Sequence, residues 1–157
     1  FTIWLSIIMV WKPNVTVAAV IERQGEFLFV EEKSSGSALL FNQPAGHLER
    51  GESLIAAVIR ETLEETAYHF SPTALTGIYQ WRHPQKDISY LRFTFTGEIT
   101  GHEPKRRLDH GIVRAAWMTP EQIRGYAERH RTPLVAQCLD DYLAGRRYPL
   151  DLLAHFE

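Results

Sequence analysis

The sequence predicts a mixed α/β (α+β) fold, a mixed β-sheet packed between helices. Three observations carry this. An apolar, β-branched run at residues 15–21 is followed by further short strand-like segments. A long stretch at residues 53–66 has helical spacing. A second block of strand patterns then gives way to two helices at the C-terminal end. Strands, helix, strands and helices in that order fit helices laid against a mixed sheet.

Residues 15–21 (VTVAAVI) have no polar face and read as a buried strand. Arg23-Gln24-Gly25-Glu26 reads as a turn, and residues 27–31 return as a second strand, giving a hairpin. Ser34-Ser35-Gly36-Ser37 is a loop, and residues 38–43 form a short strand closed by Pro44. Ser53 is the N-cap of the long helix. Its expected apolar face carries Ile55, Ile59, Thr62, Leu63 and Thr66. Two strands follow, around residues 75–81 and 88–99. In the second, Leu91, Phe93 and Phe95 alternate with Arg92, Thr94 and Thr96, so one side faces core and the other something polar. Residues 101–110 are a charged loop and 112–118 another strand. Thr119-Pro120-Glu121-Gln122 combines an N-cap, a proline at the first helical position and a capping box. That helix is expected to reach about residue 130. A further helix spans residues 134–144 and stops at Gly145.

Composition bounds the function. The chain has 157 residues, enough for one domain with a sizeable core. A net charge of −2 argues against a duplex nucleic-acid binder, which carries a basic excess. Residues 1–11 (FTIWLSIIMVW) form an apolar extension ahead of a single domain at 12–157. Eleven residues are too short for a membrane-spanning helix of about 20, and no basic residue precedes them as in a signal peptide. Either Met9 begins the native chain or this run adds an edge strand. The expected partner is thus a small molecule rather than a membrane, and monomer and homodimer stay open. Cys138 has no partner for an internal disulfide, which fits a reducing cytoplasm; it reads as a small apolar residue on a helix.

The chemistry concentrates in residues 46–68 (GHLERGESLIAAVIRETLEETAY). Glu61, Glu64 and Glu65 stand at i, i+3 and i+4 and share one helical face. Three carboxylates on one face repel by about 0.2–0.5 kcal/mol per pair, a penalty that a hard cation reverses. With no cysteine or paired histidine beside them, the face suits magnesium, with manganese as a substitute, better than zinc. Alone, such an acidic face is most often just solvated.

The surrounding residues change that balance. The stretch resembles the Nudix box, G-x5-E-x7-R-E-U-x-E-E-x-G-U with U aliphatic. Gly46, Glu52, Arg60, Glu61, Glu64 and Glu65 match at the required spacing. Six such residues at roughly 6% each coincide by chance on the order of once in twenty million windows. Thr62, Ala67 and Tyr68 depart from the pattern. The glycine that Ala67 replaces closes the helix where a positive φ is often needed, so alanine there costs on the order of 1 kcal/mol unless the cap differs. None of the three departures removes a ligand.

The resemblance to Nudix hydrolases implies site roles. Glu61, Glu64 and Glu65 would bind magnesium with the Gly46 carbonyl. Glu52 and Arg60 would pair and hold the preceding loop. Glu64 would take the proton of the attacking water, with Glu98 a weaker candidate. Lys12-Pro13, Asn42-Gln43-Pro44-Ala45-Gly46-His47, Gln80-Trp81, Leu91-Arg92-Phe93, Pro133-Leu134-Val135-Ala136 and Arg147-Tyr148-Pro149-Leu150 resemble, in that order, the NudJ-type phosphatase branch. That branch releases orthophosphate from nucleoside tri- and diphosphates and accepts the pyrophosphate of the thiamine pyrimidine precursor. Trp81 could stack on a base, Arg92 could grip a phosphate, and His47 could reach one. Lys105-Arg106-Arg107 reads as a solvated loop. Two rival readings remain: a Nudix pyrophosphohydrolase cutting an internal phosphate bond, and a non-catalytic nucleotide-binding module.

Overall fold

The structure is a computed structural model that describes residues 10–157. Its elements are β1 (Asn14–Val20), β2 (Glu22–Arg23), β3 (Glu26–Lys33), β4 (Leu39–Asn42), β5 (Ala45–His47), α1 (Leu54–Thr66), β6 (Tyr68–Arg82), β7 (Ser89–His102), β8 (Ile112–Met118), α2 (Pro120–Gly125) and α3 (Leu134–Leu143). Of the apolar N-terminal run, residues 1–9 lie outside the described residues. Val10 and Trp11 are exposed and belong to no strand.

Two mixed or antiparallel sheets form the centre. One has the order β5-β1-β7-β6, with β1 parallel to β7 and antiparallel to β5. In the other, β3 pairs with β2 and β4 on one side and with β8 on the other. Helices cover both sides. Val17, Ala19 and Ile21 of the β1 segment pack with Leu28, Phe95 and the α1 residues Ala57 and Val58. Val20 packs with Phe27, Phe29, Phe41, Ile123 and the α3 residues Val135, Cys138 and Leu139. A strand covered on both faces has no room for a polar side, which is why residues 15–21 read as continuously apolar. Cys138 is fully buried there.

Four expectations are corrected. The hairpin with 27–31 is made by Ile21 to Arg23, and residues 14–20 pair with β7 instead. The chain leaves the first sheet at Ile21, and the two-residue β2 takes the place beside β3 through Glu22↔Phe27 and Arg23↔Glu26. The turn itself stands: Gln24 at φ 52° and Gly25 at φ 79° give the two left-handed residues of a tight hairpin turn. The helix from Thr119 ends at Gly125, and a separate 3₁₀ turn follows at Ala127–Arg129; the capping box is present. The strands expected at 75–81 and 88–99 are longer and pair through thirteen positions with three register shifts in β6. Finally, α1 is rotated from the expected face: Ala57, Val58, Glu61, Thr62, Glu65 and Thr66 are buried, and Ile59 is 36% exposed. Small residues let the helix sit close to the sheet, and two carboxylates turn inward.

Candidate functional site

The site begins where β5 is tied to β1 through Val17↔Gly46. The chain then turns at Gly51 (φ 80°) and enters α1 under Ser53, whose hydroxyl accepts the Ala56 N–H at 3.0 Å. Arg60 fastens this corner. Its guanidinium grips Glu52 with two bonds, Nε to Oε2 at 3.0 Å and Nη2 to Oε1 at 2.7 Å. The same Nη2 donates to the His47 carbonyl at 3.0 Å. Nη1 donates to Glu61 Oε1 at 2.9 Å and to Glu64 Oε2 at 3.2 Å. One planar fork thus holds the loop, the end of β5 and two of the box carboxylates. Hydrogen bonds from Arg60 hold the Glu52 carboxyl below its ordinary range, and Glu52 in turn raises Arg60.

Burial pushes Glu61 and Glu65 the opposite way. Desolvation raises Glu61 although Arg60 opposes it. Glu65 is 7% exposed and pushed up to about 9 by burial, while an N–H bond from Ala45 at 2.8 Å partly offsets it. A Cβ at Gly46 would overlap the Glu61 carboxylate and force it to move. Glycine therefore lets the β5 backbone approach the acidic face.

Sequence reasoning missed one member of this group. Carboxylate oxygens of Glu61, Glu64 and Asp109 lie within 4.8 Å of one another. Asp109 arrives on the loop between β7 and β8, which α1 anchors through an N–H bond from Asp109 to the Glu64 carbonyl at 2.9 Å. No sequence signal marks it, because it is joined to the helix only by the fold. Glu65 stands outside this trio, turned toward Ala45. The donor set consists of oxygens alone, crowded and partly desolvated, with a single guanidinium against them. It suits a hard divalent cation better than zinc.

A cleft of about 450 Å³ opens against this face, lined by Glu61, Glu65, Gly46, His47, Trp81 and Arg92 among others. Trp81 is partly buried and stacks on Tyr90 at 5.8 Å. Arg92 is 4% exposed and donates to Gln43 Oε1 at 2.9 Å and Asn42 Oδ1 at 3.4 Å, so the polar side of β7 faces a buried network rather than solvent. Glu32, Tyr90 and Arg131 also line the cleft and were not singled out from the sequence, and Asn42, part of one of the resembling segments, lines it too. Glu64, Arg60 and Glu52 stand outside its lining and reach it through Glu61. Glu98 is exposed, in register with Ser71, and takes no part in the lining. Lys105, Arg106 and Arg107 are exposed on their loop.

The box ends in an unusual cap. Ala67 adopts φ 63°, ψ 12°, and its N–H bonds to the Leu63 carbonyl. The left-handed geometry that glycine would supply is kept, with alanine in it.

Comparison with known proteins agrees with this geometry. The NUDIX domain pattern matches residues 11–138. Phosphatase NudJ of Escherichia coli strain K12 is 42% identical over 146 residues, covering 93% of this chain and 94% of that protein. A NUDIX hydrolase from Nitrosomonas europaea is 56% identical with a TM-score of 0.91, covering 92% of this chain and 98% of that one. The MutT NUDIX hydrolase of Burkholderia pseudomallei shares the fold at 18% identity and a TM-score of 0.70, over 83% of this chain and 98% of that one. The domain match, the full-length similarity to NudJ and the shared fold place this chain in the Nudix hydrolase family.

Proposed function

We propose that this Nudix hydrolase is a magnesium-dependent phosphatase. It releases orthophosphate from nucleoside tri- and diphosphates and accepts the pyrophosphate of the thiamine pyrimidine precursor. The observation that carries the reading is the gathering of Glu61, Glu64 and Asp109 within 4.8 Å beside a cleft large enough for a nucleotide. The full-length similarity to a protein named as a phosphatase supports release of a terminal phosphate.

In this reading Glu61, Glu64 and Glu65 hold magnesium together with the Gly46 carbonyl, and Asp109 completes the acidic group. When bound there, magnesium neutralises phosphate charge and lowers the pKa of a water. The protein's own work is mostly positioning. Glu64 takes the proton of the water that attacks phosphorus in line. Arg60 keeps Glu61 and Glu64 at a fixed separation, and Glu52 keeps Arg60 from swinging into the cleft. His47 and Trp81 contact the substrate from the cleft wall.

Phosphorus NMR of GTP incubated with the protein and magnesium tests this. GDP and orthophosphate, then GMP, are expected. GMP with intact pyrophosphate would instead make the chain a pyrophosphohydrolase, and an unchanged spectrum would favour a binding module or a non-nucleotide substrate. Glu61→Gln and Glu65→Gln are each expected to lower turnover by orders of magnitude with the fold retained; near-full activity in both would overturn the metal assignment.

A further inference from the structure

The cleft holds a polar set that phosphate hydrolysis does not employ. Gln43 is 1% exposed and fixed at both ends of its amide, donating to the Val135 carbonyl at 2.8 Å and accepting from Arg92 Nη2 at 2.9 Å. Arg92 is thereby held inside the protein rather than free to follow a phosphate. Two buried atoms of this set have no hydrogen-bond partner among the described residues, Arg92 Nε and Glu32 Oε1. The nearest cation to that oxygen, Arg131 Nε, stands 3.5 Å away without forming a hydrogen bond. Both residues line the cleft that also contains Trp81 and its stacked neighbour Tyr90. Buried polar atoms are rarely left open, and an open donor and an open acceptor in one cleft point to a ligand that supplies the complement of each.

The chemistry of the two atoms restricts that ligand. A phosphate offers only acceptors and negative charge, so the Glu32 carboxyl repels it. A heterocycle stacked on Trp81 presents both kinds of group along one edge. We propose that Glu32 and Arg92 read the edge of the substrate's ring. Glu32 accepts from an exocyclic amine or ring N–H, and Arg92 Nε donates to the neighbouring ring acceptor. The preferred substrates are then phosphorylated heterocycles bearing an amino group. This rests on the phosphatase reading for the direction in which the substrate lies, with its phosphates toward Glu61 and Glu65.

The test compares kcat/KM for phosphate release from GTP against ITP, and CTP against UTP, in the wild type, Glu32→Gln and Glu32→Ala. In at least one pair the wild type should favour the amine-bearing member by about 10- to 100-fold, the usual worth of a hydrogen bond to a charged group. Glu32→Ala should bring that ratio to within about threefold of one, and Glu32→Gln, which keeps an acceptor, should fall between. A purely structural role would lower both members equally and leave the ratio intact. A wild-type ratio near one in both pairs, or a ratio unchanged in Glu32→Ala, overturns the proposal. If no nucleotide releases phosphate, the phosphatase reading fails by itself. Titration of tryptophan fluorescence with GMP, IMP, CMP and UMP then decides the edge reading by the same ratios, taken as dissociation constants.

Discussion

Replacing Glu65 by glutamine should stabilise the metal-free protein at neutral and alkaline pH while abolishing its gain from magnesium. The Glu65 carboxyl is pushed from 4.5 up to about 9 by burial. Between those values the folded chain binds one proton more than the unfolded chain. Stability from this group is therefore fully present below pH 4.5 and is lost as pH rises through about 9. The slope is about 1.4 kcal/mol per pH unit. At pH 7.5, three units above the unfolded value, the full linkage amounts to about 4 kcal/mol. The open cleft admits water, so about half of that, ~2 kcal/mol, is the working figure. For a chain of this length it corresponds to roughly 4–8 °C in Tm. Glutamine keeps the carbonyl that accepts the Ala45 N–H but carries no charge to desolvate. The assay is thermal and urea unfolding in EDTA at several pH values from 6 to 8.5, repeated with magnesium. The wild type should lose stability with rising pH more steeply than Glu65→Gln. Glu61 and Glu32, also raised by burial, leave a smaller slope in the variant. Magnesium should stabilise the wild type increasingly as pH rises and the variant little. Parallel pH profiles for the two proteins in EDTA would refute the reasoning.

Gly46→Ala should cut magnesium-dependent turnover by at least about 100-fold with little loss of fold, because its Cβ lands on the Glu61 carboxylate; steady-state kinetics across magnesium concentrations checks it. Arg60→Lys should weaken the corner by roughly 1–3 kcal/mol in urea unfolding, since an ammonium cannot span Glu52, Glu61 and Glu64 together. Ala67→Gly should change stability by less than about 1 kcal/mol, because relief of the left-handed strain, ~1–2 kcal/mol, is offset by a lost buried methyl and a freer unfolded chain. Calorimetry of both proteins checks it, and a change above about 1 kcal/mol in either direction would contradict the balance. Tyr79→Phe should cost about 1–2 kcal/mol by removing the 2.7 Å bond to the buried Asp141; equal urea midpoints would show the bond to be worthless.

The sequence by itself determined the class of fold and the heart of the chemistry. Local rules suffice for Ser53, Thr119 and Gly145, which mark helix ends through their own hydroxyls or backbone freedom. Helical spacing suffices to put Glu61, Glu64 and Glu65 on one face, and the resemblance to the Nudix box implies the Glu52–Arg60 pair that the structure forms. Tertiary structure decided the rest. Sheet partners depend on which surfaces meet, so the change of sheet at Ile21 has no local mark. The inward turn of Glu61 and Glu65 overrode the apolar face expected of α1, because small residues packed closer than Ile59 could. Asp109 and Glu32 joined the site from distant strands and loops, and no periodicity spans such distances. Arg92, read from the sequence as lying on the polar side of its strand, is buried because Gln43 meets it across the interior. Short-range physics is written in neighbouring residues, whereas desolvation belongs to the assembled surfaces and arises only when they close.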